Sequence, residues 1–308
     1  MDSDLPTGAA GVSAAQPPPS VSAERPTSQP LSEKPSVLGI FCAIAYTAIF
    51  MGLLIGMARI VAVFAMVAKP SQMFGDLIYL ALKSAAAALL LNFGFRKVSS
   101  SWSEALSLKR FNGWLLLPMI VATAGLGILV AEAGNGLHWF FPPPAWLVKL
   151  FSSRHRAPPI EFLAALVVAP LTEEAIFRGL ILRGLLRRYA APRAILVSAV
   201  LFALWHRNPY QFVTAFSGGL LAGWLYVRTR SLWPCVIVHA LINLKPTLVI
   251  MGAFPWKIAG YSARLPPGVV FQPLWLDALG AALAALGLIG LSWVFRRWPA
   301  QNIPQVNA

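Results

Sequence analysis

The stretch EFLAALVVAPLTEEAIFRGLIL, Glu161 to Leu182, sets two adjacent carboxylates, Glu173 and Glu174, in an apolar run and follows them one helical turn later with Arg178. A run of this length and apolarity has the character of a membrane-crossing helix. An acidic residue at the centre of such a helix costs about 2.5–3.5 kcal/mol on insertion scales, so two together point to a site. Glu174 and Arg178 stand in the favourable acid-first order four residues apart, the pattern of an intramembrane ion pair. Arg178 is therefore read as structural, serving chemistry by orienting the carboxylates. Glu173, turned by about 100° from Glu174, cannot share Arg178 equally and is left as the acid for chemistry.

Composition places this stretch in a membrane protein. Of the 308 residues, 57% are hydrophobic and only 12% charged, against about 45–50% and 25% in soluble domains. The predicted fold is an all-α bundle of about eight transmembrane helices, near 37–58, 73–95, 113–131, 160–182, 193–207, 211–227, 232–250 and 274–295. Residues 1–36, rich in Pro, Ser and Ala, read as a disordered tail. Residues 37–298 form the multi-pass domain, and 299–308 a C-terminal tail. The first apolar run begins near Val37, too late for a signal peptide, and reads as a retained anchor. Cys42 and Cys235 have no metal-type spacing and read as small buried hydrophobes.

The formal charge of +14 does not imply a nucleic-acid partner, because the basic residues punctuate the gaps between apolar runs. One alternating set of connections, from Arg25 to Arg297, carries 14 of them and the opposite set 8. By the positive-inside rule both termini are cytoplasmic, which an even number of spans requires. Ahead of the third span, SSSWSEALSLKRFNGW reads as an interfacial segment anchored by Trp102 and Trp114. In the sixth, Gly219 and Gly223 form a small-xxx-small pair that lets a neighbouring backbone approach.

Three more polar residues interrupt the apolar helices: His206, four after Phe202, and His239, four before Asn243. At about 1.5 Å rise per residue, the acid pair lies roughly 20 Å from the cytoplasmic Arg187 and His206 a similar distance from Arg193, while His239 lies roughly 14 Å and Asn243 roughly 20 Å from Arg230. All five can meet in one plane, the strongest sign of a shared site. Each also has a plainer reading: a lone His as a hydrogen-bonded packing residue, Asn243 as glue between helices. Matching depth and a spare carboxylate favour function. His138 and His155 fall in the long loop after the third span and read as solvated, Phe202 as packing, and Lys245 as snorkelling or paired with an acid.

Glu173-Glu174-x-x-x-Arg178, Phe202-x-x-x-His206 and His239-x-x-x-Asn243 together resemble the three motifs of the CPBP family of intramembrane proteases. This family is also called the Abi or type II CAAX prenyl endopeptidase family and includes the Rce1-like enzymes. The resemblance covers a protease-like core at about 160–250. It implies a multi-helix endopeptidase with a polar cavity open toward the cytoplasm, in which Glu173 and His206 activate a water. It further implies that His239 and Asn243 stabilise the oxyanion. Glu174 and Arg178 have supporting places.

Peptide or membrane-protein substrates and the lipid bilayer are the partners this implies, and the family's prenylated CAAX substrates do not transfer to the chain by resemblance alone. No cofactor is needed if a carboxylate and an imidazole hold the water. A zinc version would place the metal on His206, His239 and Glu173, although the sequence has no His-Glu-x-x-His helix. The competing class is a non-catalytic scaffold or a proton-coupled transporter using the buried Glu and His residues. Against transport, the sequence shows no evident inverted repeat. A plasma-membrane location is the expected one.

Overall fold

A computed structural model describes residues 39–68, 71–98, 106–145, 148, 158–261 and 269–298. Among these residues the chain is helical, with no strand. Eight rods lie where the eight spans are predicted: α1 (Ile40–Ala68), α2 (Gln72–Val98), α3 (Leu116–Phe140, entered through the 3₁₀ turn Gly113–Leu115), α4 (158–185), α5 (Ala191–Trp205), α6 (Pro209–Thr229), α7 (Trp233–Ile250) and α8 (Leu274–Arg297). The tail 1–36, Trp102, His155 and the C-terminal tail lie outside the described residues.

Among the described residues, five helices are long and apolar enough to cross a membrane: α1, Gln72–Gly94 of α2, Gly113–Phe140, α7 and α8. The chain is an integral membrane protein. The other three differ for stated reasons: α5 has only 15 residues, α4 carries the buried charges, and α6 opens with polar residues and carries glycines.

The wall of the bundle is made by small residues. A Cβ on Gly125 would fall 2.2 Å from the Ala284 backbone nitrogen, and one on Gly287 2.2 Å from that of Ala122. These positions let α3 and α8 touch backbone to backbone, where dispersion rather than water exclusion drives packing. Gly219 and Gly223 work the same way, seating α6 on Ala199 and Ile195 of α5.

α4 is not a regular helix. Pro170 cannot donate to the carbonyl of Leu166 and its ring crowds that oxygen. The turn before it, Leu163–Val168, is widened into a π-turn. A second π-turn, Ala175–Leu182, follows the acid pair, and all eight of its residues are buried. Donors from other helices reach carbonyls of both widened turns: Asn243 Nδ2 donates to Ala165 O at 2.9 Å, and Ser198 Oγ to Phe177 O at 3.1 Å.

Two sequence expectations are corrected. α3 continues to Phe140, so His138 lies on a helix, its ring 4.5 Å from that of Tyr210, rather than in a solvated loop. Cys42 is exposed on α1, while Cys235 is buried as expected. In the segment ahead of α3, residues 108–112 are not helical; Leu232 N donates to Ser107 O and Ser231 Oγ to Lys109 O, straps that hold this segment on the α6–α7 turn.

Candidate active site

The acid pair sits on α4 between the two π-turns, with both carboxylates buried, Glu173 at 5% exposure and Glu174 at 1%. Glu174 is the more heavily bonded. Arg178 Nη1 lies 2.9 Å from each of its oxygens, and His239 Nδ1 lies 2.8 Å from Oε1. Arg178 is fully buried; its Nη2 donates to Gly219 O at 3.1 Å, and its guanidinium stands 4.5 Å over the Phe202 ring. The predicted ion pair is thus one edge of a network joining α4, α5, α6 and α7.

Glu173 is not left free. Lys83 Nζ of α2 donates to its Oε1 at 2.8 Å. Its Oε2 lies 4.0 Å from His239 Nε2, and its charge interacts with His206 as well as with His239. Arg178 pairs with Glu174 as the spacing predicts, whereas the cation on Glu173 comes from another helix and is invisible to spacing within α4. A signal was present: a single lysine inside LIYLALKSAAAALLL, which lipid would tolerate only with a partner.

Both histidines are oriented through Nδ1. A carbonyl only accepts, so the contact of His206 Nδ1 with Phe202 O at 2.9 Å places a proton on Nδ1. In the neutral ring the lone pair is then on Nε2. His206 ends α5, and the next residue, Arg207, turns the chain at φ 52°. Asn208 caps Tyr210 N, and Pro209 opens α6. In the ionised state of Glu174, His239 likewise donates Nδ1–H to its carboxylate, a carboxylate–histidine pair that fixes the ring. Phe202 fills the space between them, its ring centroid 5.0 Å from that of His206 and 5.5 Å from that of His239.

A cavity of about 170 Å³ opens onto these groups, room for several waters. Glu174, Phe202, His206, His239 and Asn243 line it together with Tyr210, Gln211 and Thr214 of α6. Glu173 stands just behind this lining, on the α2 side. Among the described residues Lys245 is paired with no acid; its Nζ sits 3.9 Å from the centroid of the Tyr261 ring.

The fit to zinc is poor. Among the described residues no three His, Cys, Asp or Glu side chains form a group that could hold a metal ion, and one oxygen of the candidate glutamate ligand is engaged by an ammonium.

Residues 155–245 match the family model described as type II CAAX prenyl endopeptidase Rce1-like. A protein of Bacillus subtilis (strain 168) named "Putative membrane peptidase YdiL" is 28% identical over 88 residues, 29% of this chain. The aligned part spans 36% of that relative's own length. The matched stretch contains α4 to most of α7 and every residue of the three motifs, so the similarity to the Rce1-like family lies in the part of the chain that builds the site.

Proposed function

We propose that the protein is an intramembrane endopeptidase in which Glu173 and His206 activate a water for attack on a peptide carbonyl. The observation that carries this reading is the convergence of Glu174, His206, His239 and Asn243, from three helices, on one cavity with Glu173 4.0 Å from His239. The match of residues 155–245 to a prenyl endopeptidase family supports the same chemistry.

In this mechanism Glu173 Oε2 and His206 Nε2 hold the water, and one of them takes its proton as oxygen bonds to the carbonyl carbon. The developing oxyanion accepts from Asn243, whose amide keeps one N–H beyond that spent on Ala165 O. It also accepts from His239 in its doubly protonated form, which retains Nδ1–H on Glu174 and offers Nε2–H. Such donors in a water-poor site are each worth about 2.7–4 kcal/mol of barrier. Collapse of the tetrahedral intermediate breaks the C–N bond, and the proton first taken from water is delivered to the leaving amine. No step requires a metal.

The substrate is a peptide segment that can reach a cavity within the bilayer, in the plasma membrane with the basic ends of the helices, and both termini, on the cytoplasmic side. Membranes containing wild-type protein are to be compared by proteomics with membranes containing Glu173→Ala at equal abundance. A peptide bond cut only by the wild type supports the reading and names the substrate. Identical peptide sets from both would sink it in favour of a scaffold or transporter.

A further inference from the structure

The two ends of the bundle can be identified from contacts, independently of any membrane. Gly39 at the start of α1 packs against Arg188 and Tyr189 at the α4–α5 turn. Ser231 at the α6–α7 turn bonds Lys109 O, ahead of α3, and Arg228 Nη2 donates to Phe295 O near the end of α8. These connections share one end. At the other, Tyr210 donates to Phe141 O, Asn135 to Gly260 O, and Gln272 N to Glu132.

Charge divides along the same line. Among the described residues, twelve Lys and Arg and no acid gather at the first end, including Arg183, Arg187, Arg188, Arg228, Arg230 and Arg296. The second end has four bases, Arg59, Arg207, Lys245 and Lys257, and four acids, Asp76, Glu132, Glu161 and Asp277. By the positive-inside rule the first end is cytoplasmic.

The cavity opens at the second end. Along its wall, Gln211 and Pro246 are exposed and Thr214 and Asn243 half-buried, while Glu174, His239 and Ala222 are buried. Exposure therefore falls from the start of α6 and the last turns of α7 inward to the acid pair. Ala222, at the floor, is eleven residues beyond Gln211 on α6, roughly 16 Å along the axis.

We propose that the cavity admits its substrate from the non-cytoplasmic side, so that the peptide it takes is an exoplasmic juxtamembrane segment of a membrane-anchored or exported polypeptide. Cytoplasmic C-termini lie on the wrong face. This runs against the cytoplasmic opening implied by family resemblance and rests, for the cleavage step alone, on the proposed endopeptidase function. Gln211, Thr214 and Tyr210 at the mouth supply hydrogen-bonding groups for an extended backbone.

The test uses full-length protein with exposed Cys42 replaced (Cys42→Ser) and buried Cys235 retained, carrying either Gln211→Cys at the mouth or Ala190→Cys at the opposite end. A membrane-impermeant maleimide is applied to right-side-out and to inverted vesicles. At least tenfold stronger labelling of Gln211→Cys in right-side-out vesicles, with the reverse for Ala190→Cys, is expected. The opposite pattern, equal labelling from both sides, or labelling only after detergent overturns the proposed opening.

A second arm gives the wild type two single-span reporters with the same scissile sequence on the outer or the inner side of the membrane. Cutting of the outer reporter alone, lost in Glu173→Ala, is expected. Cutting of the inner reporter overturns the substrate assignment. The expected labelling with neither reporter cut leaves the opening in place and rejects the endopeptidase reading.

Discussion

Lys83 of α2 and Glu173 of α4, ninety residues apart in sequence, meet at 2.8 Å with both side chains almost fully buried. The pair fastens a helix outside the family-matched segment to the residue proposed to activate water, and it leaves Oε2 on the His239 side. Losing one partner of a buried pair costs about 3–5 kcal/mol, because an uncompensated charge stays behind. Lys83→Met is therefore expected to lower membrane abundance and detergent melting temperature. Lys83→Met with Glu173→Gln is expected to recover stability without cleavage, and Lys83→Arg to keep part of both. A double variant no more stable than Lys83→Met would show that the two side chains are not coupled.

Arg178 is expected to behave differently from a catalytic group. It binds Glu174, the Gly219 carbonyl and the Phe202 face at once, contacts that a planar guanidinium can make and an ammonium cannot. Arg178→Ala strands the Glu174 carboxylate in the core, and abundance should fall together with activity. Arg178→Lys should restore charge balance but not the Gly219 and Phe202 contacts, giving intermediate stability. Quantitative blotting of membrane fractions decides this; wild-type abundance in Arg178→Ala would mean that the network is dispensable for folding.

The eight helices were readable from the chain because lipid demands long apolar runs and basic connections. The three motifs were readable because polar residues are rare inside such runs. The partners across helices were not. Lys83 stands four residues from no acid, so no local spacing connects it to Glu173. The π-turns were hidden as well: Pro170 signals a kink, but the donors that brace the widened turns, Asn243 and Ser198, reach over from α7 and α5. Likewise, nothing in the sequence of α4 says that Glu174 rather than Glu173 lines the cavity. That follows from which side α7 packs on and from the bond of His239 to Glu174.

Metal dependence has a direct readout. Lys83 occupies one oxygen of Glu173, and no metal-holding group forms among the described residues. Cleavage by purified protein is expected to survive prolonged dialysis against a strong chelator. Complete loss of turnover, restored by one equivalent of zinc per chain, would require the mechanism to be rewritten.

Asn243 and Ser198 separate scaffold from chemistry. Each donates to a carbonyl in a π-turn of α4, Ala165 O and Phe177 O, at 2.9 and 3.1 Å. Removing either donor deletes a hydrogen bond between helices, at a cost of about 0.5–1.5 kcal/mol. Only Asn243 also lines the cavity. Ser198→Ala is therefore expected to lower the melting temperature while kcat stays within about twofold of wild type. Asn243→Ala should show a similar thermal loss and a kcat lower by about 10²–10³-fold, the effect of deleting one oxyanion donor. Comparing the two at matched stability isolates the chemical part of the Asn243 effect. Equal kcat in the two variants would return Asn243 to the role of a bond between helices.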